Sequence, residues 1–353
     1  MSPDEAPKHQ RRPRYRGKNP RRFAEKYKEL NPEKYADTVR KVIESGKTPA
    51  GAHRPIMVRE ILEFLAPRPG EFAVDATLGY GGHTTEILPR VLPGGRLLAL
   101  DADPVELPKT VARLRERGFG EEVFTAVHSN FAGLAKVLAA QNVAGANVIL
   151  ADLGCSSMQL DNPARGFTFK FAGPLDLRMN PGRGEPASAL LARLDAPRLQ
   201  ALLEANADEP HAAVLAPAIV ESQRRRPIVT TLQLADAVRA ALWAAGRDLA
   251  REEISLVARR VFQALRIAVN DEFSALDMLL RILPHCLLPG GRVAMLTFHS
   301  GEDRRVEKAF ENHVNAGVFE PLEPSLLRPT SEEIYANPRA SSARLRLARR
   351  REA

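Results

Sequence analysis

From Val74 to His83 the chain runs out of an apolar stretch, through Asp75, into a turn with glycine at three of four positions: Gly79, Gly81 and Gly82. Glycine lets the backbone take positive φ and lets a ligand approach the main chain closely. An amphipathic segment from Thr84 to Val91 follows at once, and its N-terminus offers free N–H groups and a partial positive charge. The spacing is neither the G-x-G-x-x-G of dinucleotide binders nor a phosphate loop, because no lysine follows the glycines. The loop suits the polar part of a nucleotide-like group, and an adenosyl group carrying an amino acid better than a triphosphate. An ordinary strand-to-helix turn is the competing reading of this loop taken alone.

Apolar runs at 72–77, 96–101, 123–128 and 147–152 read as strands, alternating with helical patterns at 84–91, 104–117 and 131–141. That alternation implies βαβ units and a parallel sheet covered on both faces. Val58 to Leu65 reads as a preceding helix. After 152 the rhythm breaks: 186–205, 211–225 and 231–245 are helical patterns, and 160–250 holds no convincing buried strand. One long helix is expected at 252–283, a strand at Arg292 to Phe298, and a last strand within Ser342 to Arg350. A helical module is thus expected within a doubly wound α/β domain.

The charge is unevenly placed. Residues 1–52 hold fourteen Lys/Arg against seven Asp/Glu, nearly all of the net +8, and Arg339 to Ala353 hold six arginines against one glutamate. Basic ends on a near-neutral body point to a polyanion, with a solubilising tail as the alternative. The Pro- and Arg-rich start is expected to be partly disordered until bound. No apolar leader or uninterrupted membrane-length stretch is seen, so a cytoplasmic protein is expected. Cys155 and Cys286 are far apart and form no C-x-x-C pair, which indicates neither a metal site nor a disulfide framework.

Ligands of open α/β sheets sit beyond the carboxyl ends of the strands. Asp101 ends the second apolar run about twenty residues after the glycines and is placed to accept from a ribose diol, in preference to Asp103. Phe131 follows the third run; by itself it reads as a core phenylalanine. The fourth run ends in Asp152-Leu153-Gly154-Cys155-Ser156, where cofactor and substrate should meet, and Asp152 and Ser156 are the catalytic candidates. The Asp/Asn/Ser-Pro-Pro-aromatic motif of many nucleobase amino-methyltransferases is absent. Arg266 and Asn270 share a helix face with Gln263. His299 reads either as a catalytic base or as a buried histidine with a structural role.

Together these stretches resemble the RsmH (MraW) family, which uses S-adenosylmethionine to methylate N4 of a cytidine in the decoding region of 16S rRNA. The resemblance is carried by HRPIMVREIL (53–62), DATLGYGGHT (75–84), DLGCSSMQLD (152–161), RGFTF with GPLDLRMN (165–180), FQALRIAVNDE (262–272), TFHSGEDRRV (297–306) and NPRASSARLR (337–346). It implies a class I, Rossmann-like methyltransferase core at 53–160 and 251–353, an inserted helical substrate-recognition domain at 161–250, and a basic arm at 1–52 outside the family pattern. It implies cofactor contacts at Gly81, Gly82, His83, Asp101, Phe131, Asp152 and Gln159, and no metal. Arg165, Arg178, Arg266, Asn270 and His299 are the substrate-side candidates. The implied partner is 16S rRNA or the small ribosomal subunit, with the protein a monomer or homodimer. N4-cytosine methylation of another RNA or of DNA, and a non-catalytic RNA-binding assembly factor, are the alternatives. The chain departs from the family at Gly301, where leucine is usual, at Ser341, where arginine is usual, and at Ala207-Asp208-Glu209 in place of Gly-Glu-Glu. A Thr-Lys-Lys-Pro segment is also not recognisable around 325–331.

Overall fold

The computed structural model describes residues 55–247 and 249–352; the expectations for the arm at 1–52 lie outside them. The first strands are β1 (Phe72–Asp75), β2 (Arg96–Asp101), β3 (Phe124–His128) and β4 (Ala146–Asp152). β5 (Leu287–Thr297), β6 (Leu326–Leu327) and β7 (Arg344–Arg349) complete one sheet of order β3-β2-β1-β4-β5-β7-β6. Five strands are parallel, while β7 runs antiparallel to both β5 and β6. Strand order reverses between β1 and β4, and the crevice beyond their carboxyl ends is where doubly wound sheets take ligands.

Alternate residues of each strand face opposite layers. Ala73, Leu97, Ala99, Val148 and Leu150 join α1 (Val58–Leu65), α2 (Gly82–Val91) and α3 (Leu107–Glu116) on one face. Val74, Leu98, Leu100, Ile149 and Ala151 meet α4 (Leu134–Ala140) on the other face. Further helices follow in the order α5 (Ser157–Asp161), α6 (Ala187–Arg193), α7 (Ala196–Ala207), α8 (Ala212–Arg225), α9 (Thr231–Ala244), α10 (Arg251–Asn270), α11 (Glu272–Cys286), α12 (Ser300–Asn315) and α13 (Ser331–Ala336). α11 and α12 share the second face with α4. A third apolar cluster is mostly helical, formed by α6 to α9, by Val257, Val261, Phe262 and Leu265 of α10, and by Phe167, Leu175, Leu177 and Ile228 from the connecting segments.

Three expectations change. The single helix over 252–283 is two, because Asp271 takes a left-handed φ of +49° between α10 and α11. Asn270 drives that break: its Nδ2 donates to the Arg266 and Leu177 carbonyls, and its Oδ1 accepts from Met179 N. The pattern at 186–205 also splits, as the Asp195 side chain caps a new helix by accepting from Arg198 N at 2.9 Å. The basic tail is not a free polyanion contact. Arg344 and Arg346 lie in β7 and pair with the buried Asp303, Arg339 binds Asp161, and Arg350 donates to the Leu287 carbonyl. Alternating arginines here serve a buried ion cluster at a sheet position that spacing alone could not reveal.

Candidate active site at the strand ends

The glycine loop is clamped from below. Asp75, 1% exposed, accepts from Thr84 Oγ1 at 2.7 Å and from Thr77 N at 3.1 Å, which ties β1 to the start of α2. Burial raises the Asp75 pKa above the ordinary carboxylate range. Gly79 is held on both sides: its N–H donates to Asp101 Oδ2 at 2.6 Å, and its carbonyl accepts from Thr110 Oγ1 at 2.7 Å. Gly81 has φ +75°, and a Cβ there would lie 3.1 Å from Thr110 Cγ2 and 3.2 Å from Leu114 Cδ1. Only glycine meets both conditions without strain.

Asp101 ends β2 with its second oxygen accepting from Asp103 N at 2.7 Å. Burial pushes its pKa up to about 6, against the pull of the two backbone donors, and the nearby Asp103 and Asp75 charges add to the rise. Asp152 ends β4. Thr77 Oγ1 accepts from its N–H at 2.6 Å, and its Oδ1 accepts from Gly154 N at 3.0 Å. Its Oδ2 lies 3.7 Å from His83 Nδ1, and burial raises its pKa. His83 Nε2 donates to the Ile56 carbonyl at 3.0 Å, so the Asp152-facing nitrogen is Nδ1. Phe131 follows β3 and is half-buried against the sheet's second layer. Gly81, Gly82, His83, Asp101, Phe131 and Asp152 thus share the carboxyl edge of β1 to β4.

Two half-buried carboxylates, a half-buried aromatic ring and a glycine turn fit S-adenosylmethionine. Asp101 keeps lone pairs for ribose hydroxyls, Phe131 offers a ring face, and Asp152 Oδ2 offers an acceptor beside His83.

Gln159 and Ser156 have other partners. Ser156 Oγ accepts from Gln159 N, and Gln159 Oε1 accepts from Ser156 N, both at 3.1 Å, a reciprocal cap on α5. Gln159 Nε2 donates to Asp103 Oδ2 at 2.7 Å. Asp103, passed over in the sequence in favour of Asp101, is 1% exposed and accepts four hydrogen bonds, from Val105 N, Glu106 N, Gln159 and Arg165. Its place before Pro104 and a helical pattern signals a helix cap, while its long-range partners are invisible in the spacing. Thr77 and Thr110 were missed for the same reason.

The substrate-side candidates face inward. Arg165 bonds Asp103 and two carbonyls. Arg178 forks onto Asp176 at 2.8 Å on both arms. Arg266 forks onto Glu272 at 2.9 Å and donates to Cys155 Sγ at 2.9 Å. Asn270 is spent on the 177–179 segment. Each already has internal partners that it would have to share or surrender to meet RNA. His299 Nδ1 accepts from Glu302 N at 3.4 Å to cap α12, and its Nε2 sits 3.1 Å from Glu302 Oε1 without good alignment. A capping Nδ1 favours the structural reading over the base. Burial pushes the Cys155 thiol up to about 12 despite Arg266, so it is no thiolate nucleophile. Among the described residues there is no cluster of three or more His, Cys, Asp or Glu able to hold a metal, and no helix is long and apolar enough to cross a membrane.

A glycine turn after β1, an acidic end to β2, a polar end to β4 and an antiparallel β7 inserted beside β5 define a methyltransferase of the doubly wound α/β class. A model of the MraW methylase family matches residues 50–351, and the chain belongs to that family. It is 50% identical over 342 residues to ribosomal RNA small subunit methyltransferase H 2 of Alkaliphilus metalliredigens, covering 97% of each chain. It is 48% identical to ribosomal RNA small subunit methyltransferase H 1 of Lachnoclostridium phytofermentans, over 98% of this chain and 94% of the relative. The corresponding protein of Thermomicrobium roseum is 42% identical over 84% of this chain and 93% of its own. The first two alignments reach well into residues 1–52, so the arm outside the family model extends into some relatives.

Proposed function

We propose that the protein methylates N4 of a cytidine in the decoding region of small-subunit ribosomal RNA, with S-adenosylmethionine as donor. The observation that carries the reading is that the turn after β1 is bonded to Asp101 through Gly79 N and to Asp152 N through Thr77 Oγ1, in a chain half identical to proteins named as small-subunit rRNA methyltransferases. The cofactor, when bound, supplies an electrophilic methyl group on a sulfonium.

The chain's residues then have three tasks. Asp101 accepts from ribose hydroxyls, with its carboxylate orientation set by Gly79 N and Asp103 N. Phe131 packs against the adenine. Asp152 Oδ2 accepts a hydrogen bond from the N4 amine, whose lone pair is otherwise delocalised into the ring, and favours its pyramidal form. As N4 gains a methyl it loses one proton, and the raised pKa of Asp152 suits Oδ2 to receive it. The base must be unpaired or extruded to reach this edge. Alignment of amine and methyl carries most of the rate.

The test is incubation of purified protein with labelled S-adenosylmethionine and small subunits lacking the modification, followed by nucleoside mass spectrometry. N4-methylcytidine at one small-subunit position, lost in Asp152→Ala, is the expected result. Label confined to another RNA or to DNA, or Asp152→Ala behaving as the unmodified protein, would sink the reading.

A further inference from the structure

Arg165 lies just after α5, where the chain leaves the sheet for the helical module. Its side chain is 10% exposed, and its guanidinium spans two parts of the molecule. Nη1 donates to Asp103 Oδ2 at 2.8 Å, while Nη2 donates to the Arg178 carbonyl at 3.2 Å and the Met179 carbonyl at 2.7 Å. Toward the cofactor side, Asp103 donates its own N–H to Asp101 Oδ1, and Asp101 Oδ2 receives Gly79 N. The other Asp103 oxygen holds the entry to α3, and Gln159 shares Oδ2 with Arg165. Toward the module, the 177–179 segment is gripped from α10 as well, through Asn270 to Met179 N and the Leu177 carbonyl. Every link from Gly79 to Asn270 is therefore a hydrogen bond of 3.2 Å or less.

We propose that Arg165 is a positioning residue: through buried Asp103 it sets the Asp101 carboxylate and glycine loop against the module, so cofactor affinity depends on it and RNA affinity does not. The inference rests on the reading of this edge as an S-adenosylmethionine site. Its physical basis is that Asp103 is a buried carboxylate with one close cationic partner. Removing that partner leaves a charge that burial disfavours, so the Asp103 carboxylate must rearrange toward solvent. That rearrangement moves the N–H that orients Asp101. A lysine keeps the charge but cannot fork between Asp103 and two carbonyls.

The experiment measures two affinities for the unmodified protein, Arg165→Met, Arg165→Lys and Asp103→Asn. Calorimetry gives the S-adenosylmethionine Kd, and binding to a 16S rRNA fragment across a salt series gives the RNA Kd and its slope. Arg165→Met is expected to weaken cofactor binding about tenfold or more, within the usual range of inter-site coupling, and Arg165→Lys less. RNA affinity and salt slope stay unchanged in both, and KM rises for the cofactor but not for RNA. The double variant Arg165→Met/Asp103→Asn should bind cofactor better than the two single losses multiplied together, since no buried charge is then left unpaired. Unchanged cofactor affinity with weaker RNA binding and a salt slope shallower by about one would make Arg165 a phosphate contact and overturn the proposal. Should Arg165→Met fail to fold, Arg165→Lys decides by the same two readouts. An unmodified protein that binds no S-adenosylmethionine would remove the underlying reading, an outcome distinct from any behaviour of the variants.

Discussion

Gly79 N–H donates to Asp101 Oδ2 at 2.6 Å, joining the loop after β1 to the end of the adjacent parallel strand β2, twenty-two positions further along. The loop after β1 and the acidic end of β2 are therefore one unit. The glycine is held in place by the carboxylate, and the carboxylate is oriented by the glycine.

That unit titrates in an accessible range. Asp101 has a folded pKa of about 6, against about 3.9 in an unfolded chain. Its contribution to stability is fully present below about 3.9 and is lost as pH rises through 6. Cofactor binding runs the other way, because ribose hydroxyls donate to the charged form. Calorimetry from pH 8 to 5 should show S-adenosylmethionine affinity level above about 7 and falling below 6, by at most about tenfold per unit. Asp101→Asn should bind weakly and flatten that profile.

Gly81→Ala tests the loop itself. The new Cβ meets Thr110 and Leu114 side chains at 3.1 to 3.2 Å, in a backbone at φ +75°. Thermal unfolding should show a loss of about 1–2 kcal/mol from the strained conformation. Cofactor affinity should fall more than stability does. An alanine variant as stable and as tight as the unmodified protein would show that the loop does not require glycine here.

The sheet was legible because its apolar runs are short, evenly spaced and end in polar residues. β4, from Ala146 to Asp152, is the clearest case. β6 was not, since two residues carry no periodicity and owe their strand form to the partner at Leu345 and Arg346. Asp101 stands out in the sequence by its distance from the glycines, whereas Asp103 does not, because its hydrogen bonds reach 56 and 62 residues away to Gln159 and Arg165. The arginines misled in a common direction. A charged side chain in a sequence suggests a charged partner outside, yet Arg344, Arg346, Arg266 and Arg165 all find theirs inside.

Asp303 shows what those internal pairs are worth. It is 1% exposed in the first turn of α12 and holds Arg344 and Arg346, with Arg346 Nε and Nη2 each at 2.9 Å. Hydrogen bonds and charges from these arginines hold its carboxyl below the usual range, outweighing burial, its largest single influence. Its stabilisation is therefore present above about 3.9 and lost as pH falls through the lowered folded value. Asp303→Asn leaves the buried Arg346 with Glu307, at 2.7 Å, as its remaining carboxylate partner, and should cost about 1–3 kcal/mol by urea unfolding at pH 7. The same substitution should shrink the acid limb of the stability profile. A cost under 1 kcal/mol would mean that Glu307 alone satisfies Arg346.

Gly301 stands where the sequence resemblance leads to an expected leucine, and its surroundings leave no room for a side chain. A Cβ at 301 would fall 2.5 Å from Phe273 Cζ, and that ring is itself covered by the Arg305 guanidinium at 3.6 Å. Phe273 fills the space that a larger residue at 301 would need. Gly301→Leu should therefore destabilise by about 1–3 kcal/mol through overpacking, with helix propensity offsetting roughly 1 kcal/mol of it. Phe273→Ala alone should also destabilise, by about 3 kcal/mol, since the ring is 8% exposed against Gly301, His299 and the Arg305 guanidinium. The double variant should recover part of both losses, because leucine then occupies the vacated volume. Urea unfolding of all four proteins gives the coupling energy directly, and strictly additive costs would show that the two positions do not compete for space.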